Sequence, residues 1–120
     1  MTVSVGCMTV DCDDVATVGG FWSNALDIPL DPEPSPFMAS LNRGGPTLPR
    51  FMFIKVPEGK TVKNRMHLDL LVEGSRSRAD EVSRLVELGA THVADKEEWG
   101  HSWAVLIDPE GNEFCLAARS

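Results

Sequence analysis

The chain has 120 residues, 42% of them hydrophobic and 24% charged, enough for one domain with a core that needs no disulfide or structural metal. Eleven Lys and Arg against eighteen Asp and Glu leave a formal charge of −7, which repels phosphate backbones and anionic lipid. Nucleic-acid and membrane-surface partners are therefore excluded as working readings. Met1 to Gly6 has neither a basic nor an apolar leader, and no apolar run approaches a membrane span, so a cytoplasmic protein is expected. The three cysteines, Cys7, Cys12 and Cys115, cannot all pair and form no C-x-x-C, which fits reduced thiols.

Residues 3–11 alternate loosely and predict a first strand. Asp13 or Asp14 can then cap a helix whose apolar positions, Val15, Val18, Phe21, Trp22 and Leu26, follow helical spacing. Gly19 and Gly20 inside it each cost about 1 kcal/mol relative to alanine, so packing by Phe21 and Trp22 must compensate. Between residues 29 and 50, Pro29, Pro32, Pro34, Pro36, Pro46 and Pro49 forbid a helix and allow only short edge strands. Phe51 to Val56 reads as a strand.

After a turn at Glu58-Gly59-Lys60 the pattern restarts. Arg65 to Val72 predicts a strand. Ser77 with Asp80 marks a helix start, and Ala79, Val82, Leu85 and Val86 form its apolar stripe, closed by Gly89. Strands follow at Thr91–Ala94 and Trp103–Ile107, then a turn at Asp108-Pro109-Glu110-Gly111 and a last strand from Glu113 to Ala118. Each half thus runs strand, helix, strands, a weak internal repeat with a first module over about 1–57 and a second over about 64–118. The fold class is α+β.

Strand side chains alternate faces, so parity sorts them. Leu68, Leu70 and Val72 oppose His67, Asp69 and Leu71. Met8 and Val10 oppose Cys7, Thr9 and Asp11. Phe114 and Leu116 oppose Glu113, Cys115 and Ala117. The apolar sets belong under the helices; the mixed sets suit a semi-polar ligand face.

Three stretches carry a family resemblance: Met66-His67-Leu68-Asp69-Leu70, the helix end Leu85 to Gly89-Ala90, and Asp108-Pro109-Glu110-Gly111-Asn112 before Glu113-Phe114-Cys115. With Phe21-Trp22 and Ala25-Leu26, they resemble the glyoxalase/bleomycin-resistance/extradiol-dioxygenase (vicinal oxygen chelate) superfamily. Asp27 stands where that family ends its first helix with glycine. The resemblance implies two βαβββ modules forming a curved mixed sheet, a cup with helices outside, and pairing into a homodimer.

It also implies a metal site drawn from the first and last strands of the modules, at positions held here by Cys7, Phe51 or Phe53, His67 and Cys115. Only His67 matches the usual ligand type, so the expectation is a cup with no metal and no cofactor. The alternative is a divalent zinc, nickel or iron at Cys7, His67 and Cys115. His67 is the catalytic candidate, oriented by Asp69 or Glu113. Phe51 and Phe53 are expected to make the cup apolar. Trp99, His101 and Trp103 are expected at its mouth, with Cys7, Thr9, Asp69, Glu113 and Cys115 as further ligand contacts. The function expected is small-molecule binding of an organic ligand; the alternatives are a lyase- or dioxygenase-type enzyme using His67 and an antibiotic-sequestering dimer.

Overall fold

The computed structural model describes residues 2–45 and 49–118. Contacts divide the chain into two compact units, Met1–Gly59 and Lys60–Ser120, each pairing one helix with one mixed sheet.

In the first unit β1 (Cys7–Cys12) leads to α1 (Val15–Leu26), then β2 (Met38–Leu41) and β3 (Arg50–Lys55). The sheet order is β1-β3-β2, with β1 parallel and β2 antiparallel to β3. Asp14 caps α1: its Oδ1 accepts from the Thr17 amide at 3.1 Å and its Oδ2 from the Thr17 hydroxyl at 2.9 Å. The helix stops at Asp27, which takes a left-handed φ of 56° where glycine would be unstrained. Val15, Val18, Phe21 and Trp22 are buried, as the spacing predicts, while Gly19 and Ala25 are buried in addition and Leu26 is only half-buried; Phe21 meets Trp22 edge-on at 5.1 Å.

The first module falls short of the expected strand count for a reason written in its prolines. Directly after α1, where a further strand would join the outer edge of β2, only Leu30 forms a bridge, to Leu41. Pro29 and Pro32 flank it, and each lacks the N–H that a ladder needs. Pro46 lies outside the described residues.

The second unit keeps the full set: β4 (Asp69–Leu71), α2 (Arg78–Leu88), β5 (Thr91–Glu98), β6 (His101–Ile107) and β7 (Glu113–Ala117). The order is β4-β7-β6-β5, with β4 parallel to β7 and the other pairs antiparallel. Ser77 caps α2 by accepting from the Asp80 amide at 3.0 Å, and Gly89 closes it at a φ of 126°. The α2 stripe is narrower than expected. Leu85 is buried, whereas Ala79 and Val86 are exposed, because Val82, Leu85 and Leu88 at three-residue spacing form the inward edge.

Several strand boundaries differ from expectation, and β1 begins at Cys7 rather than at residue 3. β4 is shorter than the Arg65–Val72 pattern because it sits at the sheet edge with β7 as its one neighbour. β5 and β6 are longer, because Trp99 and Gly100 both take positive φ (50° and 79°), the geometry that suits a two-residue hairpin. The charged run Asp95–Glu98 can therefore pair with His101 to Ala104 along a solvated edge. Phe114, Leu116, Ala104 and Leu106 fill the core with Leu85.

Candidate functional site

Alternation along one strand and register across its neighbour build the site. His67 and Asp69 are two residues apart, so their side chains leave the chain on one side, and the imidazole Nδ1 lies 2.9 Å from Asp69 Oδ1. Asp69 is paired in parallel register with Cys115. Ligand atoms of His67, Asp69 and Cys115 all lie within 4.8 Å of one another. The Cys115 amide donates to the Leu68 carbonyl at 2.9 Å, which fixes the backbone beneath the cluster although His67 precedes the strand.

Electrostatics distinguish the thiol from a nucleophile. Burial pushes Cys115 above its ordinary value of 9.0, and the Asp69 charge and its hydrogen bond to the thiol add to that; Lys63 opposes weakly. The thiol is protonated at neutral pH, so attack by a ready thiolate is not this site's chemistry. What the group offers is a proton-handling imidazole held by a carboxylate, with a soft donor beside them.

Parity carries the face further. Val105 lies opposite Cys115, and Trp103 lies two residues along β6, about 7 Å at the strand rise. Trp103, Val105 and Ile107 are half-buried, and Leu71 is 48% exposed, so the cluster has an apolar surround open to solvent. Sequence reasoning missed Val105 and Ile107, although their parity with Trp103 contains the signal. It also missed Lys63, whose position no pattern marks.

Other expected site residues go elsewhere. Phe51 and Phe53 do not line an open face; they are 6% and 0% exposed, and Phe53 lies under Gly19 of α1. Met52, Ile54 and Arg50 face away from the helix instead, because the bulkier aromatic rings gain more by burial beneath it. Trp99, 91% exposed at the hairpin tip, projects into solvent. His101 stands four residues from Val105, about 13 Å along the strand, beyond contact with the cluster. Glu113 does not orient His67: its carboxylate takes the Asn64 amide at 2.9 Å and Lys60 Nζ at 3.1 Å, fastening the 60–64 segment. Those partners, the Asn64 amide foremost, hold it below the ordinary 4.5. In the first unit Cys7 and Thr9 are exposed neighbours, Sγ to Oγ1 3.7 Å.

An imidazole nitrogen, a carboxylate oxygen and the Cys115 sulfur, which would give up its proton on binding, form a donor set that zinc and related divalent ions accept, and the spacing is small enough to close around one ion. The third donor in that set is Asp69, where the resemblance pointed to Cys7.

A cavity of about 750 Å³ in the first unit is lined by Asp13, Asp14, Val15, Leu30, Phe37 and Lys55 among others, and contains none of the expected site residues. The cluster of three donors of different type lies in the second unit instead.

The family model of the glyoxalase-like domain matches residues 7–117. The chain belongs to that family. A glyoxalase/bleomycin resistance protein/dioxygenase family enzyme from Burkholderia phytofirmans superposes with a TM-score of 0.78 at 19% identity, over 97% of this chain and 98% of its own. The fosfomycin resistance protein FosX from Listeria monocytogenes gives 0.76 at 12%, covering 100% and 96%. Lactoylglutathione lyase from Agrobacterium tumefaciens gives 0.67 at 10%, covering 96% and 92%. No curated protein matches the sequence. At these identities the likeness is one of fold, shared by lyases, oxidases and resistance proteins. No helix among the described residues is long and apolar enough to cross a membrane.

Proposed function

We propose that this glyoxalase-like protein binds a small organic molecule on the face of the second sheet that carries His67, Asp69 and Cys115. The observation supporting this is the 2.9 Å His67–Asp69 contact beside the Cys115 thiol, with Trp103, Val105 and Leu71 on the same face by strand parity and register. Asp69 orients the ring, leaving the other nitrogen to donate to or accept from a ligand oxygen. The apolar surround takes the ligand's body.

The three-donor cluster favours a second reading, a metal-dependent lyase or oxidase. His67, Asp69 and Cys115 would hold a divalent ion, which supplies Lewis-acid polarisation of a bound oxygen. The chain's own residues then keep the ligand oriented against Trp103.

Elemental analysis of purified protein separates the readings. Stoichiometric zinc, nickel or iron, lost in Asp69→Asn and Cys115→Ser, supports the enzyme. Protein without metal that is stabilised saturably by aromatic carbonyl compounds or fosfomycin supports binding alone, with about 2.7 kcal/mol expected at a hundredfold excess over Kd. The site assignment fails if His67→Ala and Asp69→Asn alter neither metal content nor ligand stabilisation.

A further inference from the structure

Arg50, the first residue of β3, faces away from α1 on the same side as Met52 and Ile54. Its side chain is half-buried, and its Nε is fully enclosed with no hydrogen-bond partner. Among the described residues its one hydrogen bond runs from Nη2 to Ser40 Oγ at 2.9 Å, and no carboxylate pairs with it. Ser40, only 3% exposed, donates its single hydroxyl proton to Asp31 Oδ2 at 2.7 Å. Asp31 also accepts the Arg43 amide at 3.3 Å. Asp31 therefore reaches the guanidinium through a neutral hydroxyl, and among the described residues the guanidinium makes no other hydrogen bond.

A guanidinium is always charged, and a half-buried one whose Nε is enclosed without a hydrogen-bond partner is left unsatisfied. Water would satisfy the hydrogen bonds and solvate the charge but supplies no counter-charge. An oxoanion satisfies both, and the planar fork of arginine matches two of its oxygens. Met38, Met52 and Ile54 share the face by strand parity and register, giving apolar surface beside the fork.

We infer that Arg50, held by the Ser40–Asp31 relay, is a recognition site for the oxoanion head of a small aliphatic acid, either a carboxylate or a phosphonate. The inference uses only first-unit residues and goes beyond the reading of His67.

The test titrates butyrate and butylphosphonate, with chloride as control, into the intact protein, followed by thermal shift and by the arginine Nε–Hε resonances. Saturable stabilisation by either probe, with a shift of the Arg50 resonance, is expected; the stronger probe tells a planar from a tetrahedral head. Arg50→Lys keeps the charge but loses the fork, and affinity should fall roughly tenfold or more. Arg50→Gln should abolish binding. No saturable response in the unmutated protein, or an equal response in Arg50→Gln, overturns the inference. The resonance in unmutated protein decides the matter even if a variant does not fold. His67→Ala tests the other reading, so anion binding lost with Arg50 and metal or ligand binding lost with His67 are separate failures.

Discussion

Cys115 and Cys7 belong to one residue type in two environments. Cys115 is half-buried, with burial and the Asp69 charge opposing its ionisation, whereas Cys7 stands exposed beside Thr9. Alkylation follows thiolate fraction and access. Iodoacetamide at neutral pH should therefore label Cys7 first, Cys115 slowly and buried Cys12 last, read by peptide mass spectrometry. Labelling of Cys115 ahead of Cys7 would contradict the electrostatic picture of the cluster. His67 and Asp69 were legible in the sequence, because spacing by two on a strand puts both on one side. That Asp69 and not Glu113 holds the imidazole was not legible. Both carboxylates share the face, and only the folded 60–64 segment claims Glu113.

The helices carry their own tests. A Cβ added at Gly20 meets nothing within 4 Å, so Gly20→Ala should raise stability by about 0.5–1 kcal/mol, seen as a higher Tm of a few degrees. Asp27→Gly should act in the same direction, because the left-handed φ of 56° strains aspartate and suits glycine. Removing the α2 cap with Ser77→Ala should cost about 1 kcal/mol in denaturant unfolding, through loss of the bond to the Asp80 amide. The caps and the buried stripe of α1 followed from sequence, since they are set by neighbours within one turn. Strand ends did not, because they depend on which strand lies alongside: β4, at an edge, starts only at Asp69, and the Trp99-Gly100 hairpin lengthens β5 and β6.

Across the whole molecule, pH acts through groups in both units. Asp14 is lowered chiefly by the Thr17 amide, and Glu113 by the Asn64 amide. Burial works against Glu81, but its bonds to Arg84 and Arg76 outweigh it, so it too is lowered. Each contributes stability that is full above its ordinary value (3.8 for Asp14, 4.5 for the glutamates) and is lost as pH falls through the lowered folded value. Cys115 works at the other end: raised above 9.0, it favours the fold below that pH and disfavours it as the thiol ionises. The Tm should stay level through neutrality, fall in acid and fall again in alkali, and Cys115→Ser should remove part of the alkaline loss alone.

What the sequence determined by itself was everything local or periodic: the α+β class, the two strand–helix modules, the helix caps, the family, and the placing of His67 and Asp69 on one side of the chain. Tertiary structure decided the rest, because a period of two says that residues alternate without saying which set the helix covers. Phe51 and Phe53 went beneath α1, and that put Arg50 on the opposite face with Ser40 for its hydrogen bond. Cys115 met Asp69 through strand register, which no stretch of chain read alone contains.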